Sequence, residues 1–63
     1  MNKYNIGDLV VSYISKTPGL IVKVHQDEEY EIEWSTTSKD WYYEHEIDDY
    51  INRQILYYYP VKK

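Results

Sequence analysis

The sequence contains no cysteine, which excludes disulfide bonds, thiolate metal sites and a cysteine nucleophile. Its two histidines, His25 and His45, are too few to hold a zinc ion alone. Its two glycines cannot build a glycine-rich phosphate loop. No apolar run approaches the roughly 20 residues that a membrane-spanning helix needs. With these motifs absent, no cofactor and no metal are expected.

The chain is short for an independent domain. Its 63 residues predict a single domain, 1–63, that buries only about 60% of the surface its unfolded form exposes. Domains of this size are usually stabilised by disulfides, a metal or a partner. The N-terminus lacks the apolar segment of a secretory signal. We therefore expect a soluble intracellular protein, without a membrane partner, that depends on association.

Charge is unevenly distributed along the chain. Eleven acidic and seven basic residues give a net charge of −4, which disfavours a general nucleic-acid coat. Residues 27–49 hold ten of the acids and one lysine, whereas residues 50–63 hold no acid. Such a segment is either a solvated surface or a patch that attracts a basic partner. The candidate acidic patch consists of Asp27, Glu28, Glu29, Glu31, Glu33, Asp48 and Asp49.

Apolar residues recur at every second position, which is typical of half-buried antiparallel strands. Leu20, Val22 and Val24 are predicted to share a buried face, and residues 30–34 alternate in the same way. The predicted strands cover residues 9–14, 20–25, 30–34, 41–45 and 55–59.

The segments between the strands carry turn signals. Residues 17–19 (TPG) predict a turn, because proline presets φ and glycine tolerates positive φ. Residues 47–51 have apolar side chains spaced by three and four, which predicts one helical or 3₁₀ turn. The side chains of this turn predicted to face inward are Ile47, Tyr50 and Ile51.

These elements predict an all-β fold: a five-stranded SH3-like small barrel with a 3₁₀ turn before the last strand. Closing the sheet would hide strand edges that so small a meander could not otherwise protect.

Four segments of the chain carry a resemblance to known proteins. They are residues 7–10 (GDLV), 19–24 (GLIVKV), 30–34 (YEIEW) and 41–47 (WYYEHEI). Their order resembles Tudor- and KOW-type SH3-like barrels, and is similar to short barrel proteins encoded by tailed bacteriophages. The resemblance implies a viral structural or accessory protein.

Aromatic residues exceed what one small barrel core can bury, with two tryptophans and nine tyrosines. In the runs 41–43 and 57–59, neighbouring side chains point to opposite faces of a strand, so at least one ring in each faces outward. Exposed tyrosines are common at protein interfaces. An equally weighted alternative is that tyrosine replaces the missing phenylalanine in the core. The candidate interface residues are Tyr13, Trp41, Tyr42, Tyr58 and Tyr59.

Other kinds of site have less support. A Tudor-type barrel holds methylated ligands in an aromatic cage, but Trp34, which alternates with Ile32, is more easily explained as core. Nucleic-acid binding needs a basic groove with aromatics, whereas the aromatic strands here are acidic. No serine, histidine and orienting group form a catalytic set, so an enzyme is not expected. The cage candidates are Tyr13, Tyr30, Trp34, Trp41 and Tyr43.

The sequence therefore favours a non-catalytic protein–protein interaction module, phage-encoded and packed into an assembly such as a virion, in the virion or the host cytoplasm. An acidic inhibitor that mimics nucleic acid and binds a basic host protein is the alternative. A methyl-ligand or nucleic-acid reader is the third. A homo-oligomer remains open, and no small-molecule substrate is expected.

Overall fold

Five antiparallel strands and one helix form the fold of the part of the chain that the structure describes. A computed structural model of the chain describes residues 3–26 and 28–61. Among these residues, no helix is long and apolar enough to cross a membrane. The elements are β1 (Leu9–Ser12), β2 (Pro18–His25), β3 (Glu29–Trp34), β4 (Lys39–Tyr43), α1 (Glu44–Asn52) and β5 (Leu56–Tyr59).

All five strands belong to one sheet, in the order β4-β3-β2-β1-β5. Consecutive strands β1 to β4 pair as a meander, and β5 returns to pair with β1. The register of β2 against β3 shifts between Ile21 and Lys23, which marks a β-bulge. The predicted mostly-β class with five strands is confirmed. The described sheet is open, with β4 and β5 at its two ends.

Alternate side chains of the strands build the core on one face of the sheet. Val10, Ile21 and Ile32 are fully buried, and the helix adds Ile47. The predicted inward face of residues 30–34 is confirmed, since Tyr30 is buried and Trp34 packs against the core. Within residues 3–26 and 28–61, the buried apolar side chains are Tyr4, Val10, Ile21, Tyr30, Ile32, Ile47 and Leu56.

The predicted buried face of β2 is wrong in its first half. Leu20 is 43% exposed, whereas its neighbour Ile21 is fully buried. The bulge after Ile21 adds one residue to the strand and changes which alternate positions point inward. Val24, beyond the bulge, therefore packs against the core as predicted.

The predicted single turn before the last strand is also wrong, because α1 is a nine-residue α-helix. The helix begins at Glu44, so β4 ends at Tyr43 rather than at His45. The Tyr43 backbone N–H donates to Glu46 Oε1 at 2.9 Å, and acids in the first turn interact favourably with the helix dipole. The predicted inward orientation is confirmed for the three side chains Ile47, Tyr50 and Ile51.

Candidate functional site

The outer face of β5, β1 and the first half of β2, up to its bulge, is a continuous uncharged surface. Residues paired directly across antiparallel strands point to the same side of the sheet. In β1, Leu9 pairs with Leu20 of β2 and with Tyr59 of β5. Val11 pairs in the same way with Pro18 and Tyr57. We call this group the uncharged face: Leu9, Val11, Pro18, Leu20, Tyr57 and Tyr59.

Much of the uncharged face is open to solvent. Leu9 and Tyr57 are 38% and 39% exposed, and Tyr59 is 52% exposed. The ring of Tyr13 meets that of Tyr57 edge to face at 5.6 Å, and extends the surface beyond the end of β1. Lys16 Nζ lies 4.4 Å from the centre of the Tyr13 ring, so a positive charge marks this border.

Charged residues begin beyond the bulge of β2, with the exposed Lys23, and continue on the next strand. Leu20 of the uncharged face pairs with Glu33 of β3, which in turn pairs with Lys39 of β4. The sheet therefore has two distinct outer surfaces, one uncharged over β5, β1 and the first half of β2, and one charged over the second half of β2, β3 and β4.

The five predicted interface residues separate into three environments. Tyr59 belongs to the uncharged face and Tyr13 borders it. Trp41 is exposed on β4, where it pairs with Glu31 and its ring lies 3.7 Å from that of His25. Tyr42 and Tyr58 are instead partly buried against the core.

Sequence reasoning missed Tyr57 and the four aliphatic and proline positions of the uncharged face. A signal for Tyr57 was present: Leu56, as an aliphatic core residue, sets the phase of β5. Alternation then places Tyr58 inward with Leu56, and Tyr57 and Tyr59 outward.

Inward-facing tyrosines bind carboxylates through their hydroxyls. Tyr30 Oη donates to Glu44 Oε1 at 2.6 Å, and Tyr4 Oη donates to Asp48. Tyr58 Oη donates to Asp8 Oδ2 at 2.6 Å. Phenylalanine would leave these acceptors without their donors, which explains the preference for tyrosine in this core.

Burial and these hydrogen bonds make the phenols harder to ionise. Burial, followed by the hydrogen bond to Glu44, raises the pKa of Tyr30 to about 12. Burial and the bond to Asp8 raise the pKa of Tyr58 to about 12. Burial and the bond to Asp48 also raise the pKa of Tyr4.

We predict that the fold loses stability in alkali. The folded-state pKa values of Tyr30 and Tyr58 lie above 10.0, the value of a free phenol. Their stabilising contribution is complete below that value and is lost as the pH rises from 10 toward 12. The urea midpoint should therefore fall steadily over this range. Tyr30→Phe, which has no phenol to ionise, should show a shallower decline, and identical slopes would contradict this assignment.

The predicted acidic patch is divided, and most of its members have basic or histidine neighbours. In the strand register, Glu29, Glu31 and Glu33 pair with His25, Lys23 and Lys39. Glu31 is only 9% exposed. Glu28 is exposed in the loop before β3, and Asp27 lies outside the described residues.

The two helical members of the acidic patch are held in ion pairs. Asp48 Oδ2 is 3.0 Å from Lys3 Nζ, and Asp49 Oδ2 is 3.2 Å from Arg53 Nη1. The hydrogen bond from Tyr4 and the nearby Lys3 lower the pKa of Asp48. These pairs reduce the acidic surface available to a basic partner.

An aromatic cleft of about 370 Å³ lies on another part of the molecule. The Tyr42 ring meets those of Trp34 and Tyr50 edge to face, at 6.4 Å and 6.2 Å. Of the five predicted cage residues, only Trp34 lines this cleft. Tyr30 is in the core, and Tyr13, Trp41 and Tyr43 are exposed on other parts of the surface.

No metal centre is found in the parts of the chain described, 3–26 and 28–61, where no three His, Asp or Glu side chains cluster suitably. A scan against protein-family models, a search of curated proteins and a search of solved structures each found no match. Evidence for function therefore comes from the molecule's own geometry.

Proposed function

We propose that this chain is a non-catalytic protein–protein interaction module that binds its partner through the uncharged face. One observation carries the proposal: six side chains in register across β2, β1 and β5 include no charge, although charged residues make up 29% of the sequence. On a sheet face that is exposed to water, the outward-pointing residues are ordinarily polar. Aliphatic and tyrosine side chains at these positions are typical of a surface that binds another molecule.

The size of the uncharged face supports the same function. Together with Tyr13, the exposed parts of its side chains amount to about 600 Å², the upper end of the largest apolar patch on an ordinary monomer. Tyrosine is enriched at interfaces because its ring contributes contact area and its hydroxyl finds a polar partner. The face is therefore large enough to be the centre of a small interface.

The strand arrangement supports the finer proposal that the fold is an SH3-like small barrel. β5 returns beside β1, and β2 pairs on both sides of its bulge, which allows the sheet to bend. The resemblance to phage-encoded barrels supports a virion as the assembly that the module joins. The acidic-inhibitor alternative receives less support, because so many of the acids have a basic neighbour.

A matched pair of variants tests the proposed function. Tyr59→Lys adds a positive charge to the uncharged face, and Trp41→Lys adds the same charge to an equally exposed aromatic on β4. We expect proteins captured from a lysate of the source organism by the wild type to be lost with Tyr59→Lys and kept with Trp41→Lys. Capture should be nearly indifferent to salt, because apolar packing is not screened.

The opposite result would favour another surface. If Tyr59→Lys captures the same proteins as the wild type, the uncharged face is not the binding site. If capture instead falls steeply from low to physiological salt, the acidic patch is responsible.

A further inference from the structure

We infer that the partner covering the uncharged face is a second copy of this chain, related by a two-fold axis. The inference rests on the proposed function and specifies the occupant of the same face. Three properties of the described residues support it: the placement of charge, the size of the core, and the area of the face.

The placement of charge favours a second copy at this face. Each chain carries a net charge of −4, so two copies repel one another at long range. The exposed acids, Glu33 among them, lie over β3, β4 and α1 or in the loop before β3, and meeting through that part of the molecule would bring like charges together. Meeting through the six residues of the uncharged face brings together only apolar and tyrosine side chains. The uncharged face is the part of the sheet at which a second copy meets no like charge.

The small core gives the chain a reason to associate with itself. Only seven apolar side chains are buried in the described residues, and the sequence has no cysteine for a disulfide. Chains of this length commonly gain stability by oligomerising. Covering the uncharged face would extend the apolar layer to both sides of β1, the strand between β2 and β5.

The area of the face is at the lower limit of what a dimer needs. Two copies packed through it would bury at most about 1,200 Å² in total, the lower limit of specific interfaces. Sheets that pack face to face lie about 10 Å apart with side chains interdigitated. In this arrangement β1 of each copy lies near the two-fold axis and Tyr57 and Tyr59 lie to one side. We expect a reversible dimer with a dissociation constant on the order of 10–100 µM.

Sedimentation velocity across a dilution series tests the dimer. The wild-type sedimentation coefficient should rise from the monomer value toward the dimer value over roughly 1 µM to 1 mM, and slightly more readily in salt, which screens the repulsion. The melting temperature should rise over the same range, because association stabilises the folded state. Leu9→Lys and Tyr59→Lys should both remain monomeric throughout, and Trp41→Lys should dimerise like the wild type.

The outcomes separate the inference from the proposed function. If the wild type stays monomeric at 1 mM, the inference of a dimer is overturned. If Tyr59→Lys nevertheless loses the captured proteins, the proposed function stands and the face binds a different protein. If the wild type dimerises and both face variants dimerise equally well, the contact lies elsewhere and the inference is overturned. Near-UV circular dichroism checks that each variant is folded. Tyr59 is at the exposed end of β5, so Tyr59→Lys should fold even if Leu9→Lys does not.

Discussion

The Asp8→Ala variant is expected to lose about 3–4 kcal/mol of unfolding free energy, a large share of the stability of so small a domain. Asp8 is fully buried. Its Oδ2 accepts from the Asn5 N–H at 2.9 Å and from Tyr58 Oη at 2.6 Å, and its Oδ1 accepts from the Val61 N–H at 2.9 Å. Removing the carboxylate leaves these donors without their acceptor, and buried unpaired donors are costly.

Urea unfolding measures this loss. Asp8→Asn, which keeps the shape and one acceptor oxygen, should fall between the wild type and alanine. Asp40→Asn removes an exposed carboxylate from β4 and should change stability by less than about 0.5 kcal/mol. A loss below about 1 kcal/mol for Asp8→Ala would mean that water replaces the carboxylate. The hydrogen bonds that Asp8 accepts from Tyr58 and Val61 would then contribute little to stability.

The Gly19→Ala variant is expected to lose about 2–3 kcal/mol through overpacking. A Cβ at Gly19 would lie 2.6 Å from Trp34 Cε3 and 2.8 Å from Ile32 Cγ2, closer than carbon atoms can approach. Ile32 is fully buried, so the Trp34 ring must move. The variant should therefore also shift the indole N–H resonance of Trp34.

Gly7→Ala is the control for the Gly19 prediction. Gly7 has a φ of 98°, so alanine there is strained by the backbone, but its Cβ would meet Val61 only at ordinary contact distance. Gly7→Ala should destabilise the fold while leaving the Trp34 resonance in place. A Gly19→Ala protein with wild-type stability and spectrum would contradict the packing of Trp34 over this glycine.

The sequence predicted the strands well where polar and apolar residues alternate strictly. In β3, glutamates alternate with Tyr30, Ile32 and Trp34, and this side of the strand faces inward as expected. In β2 the run from Leu20 to Val22 is entirely apolar, so alternation could not reveal that Ile21 is buried and that a bulge follows. The proline and glycine before it predicted a turn, whereas Pro18 and Gly19 begin β2 itself.

The helix was underestimated because its first turn is polar. Residues 44–46 (EHE) suit an exposed strand end as well as an acidic helix N-terminus. The hydrogen bond from the Tyr43 N–H to Glu46 favours the helix over the strand. This bond forms only in the folded helix N-terminus, so the sequence does not reveal it.

The uncharged face could be predicted only in part. Surplus tyrosines pointed to Tyr13 and Tyr59, but Leu9, Val11 and Leu20 look like core residues in sequence. Their exposure depends on strand register, which places all three on the outer side of the sheet. The sequence alone does not determine which strands are neighbours. A surface formed by three neighbouring strands could therefore not be predicted from it.

Methyl NMR of the chain free and bound tests the uncharged face most directly. Spectra recorded at low concentration, and again with whichever protein covers the face, a second copy included, should differ at the methyl groups of Leu9, Val11 and Leu20. The indole resonance of Trp41 on β4 should stay in place. Shifts confined to Trp41 and the charged strands, with these three methyl groups unchanged in the complex, would contradict the account.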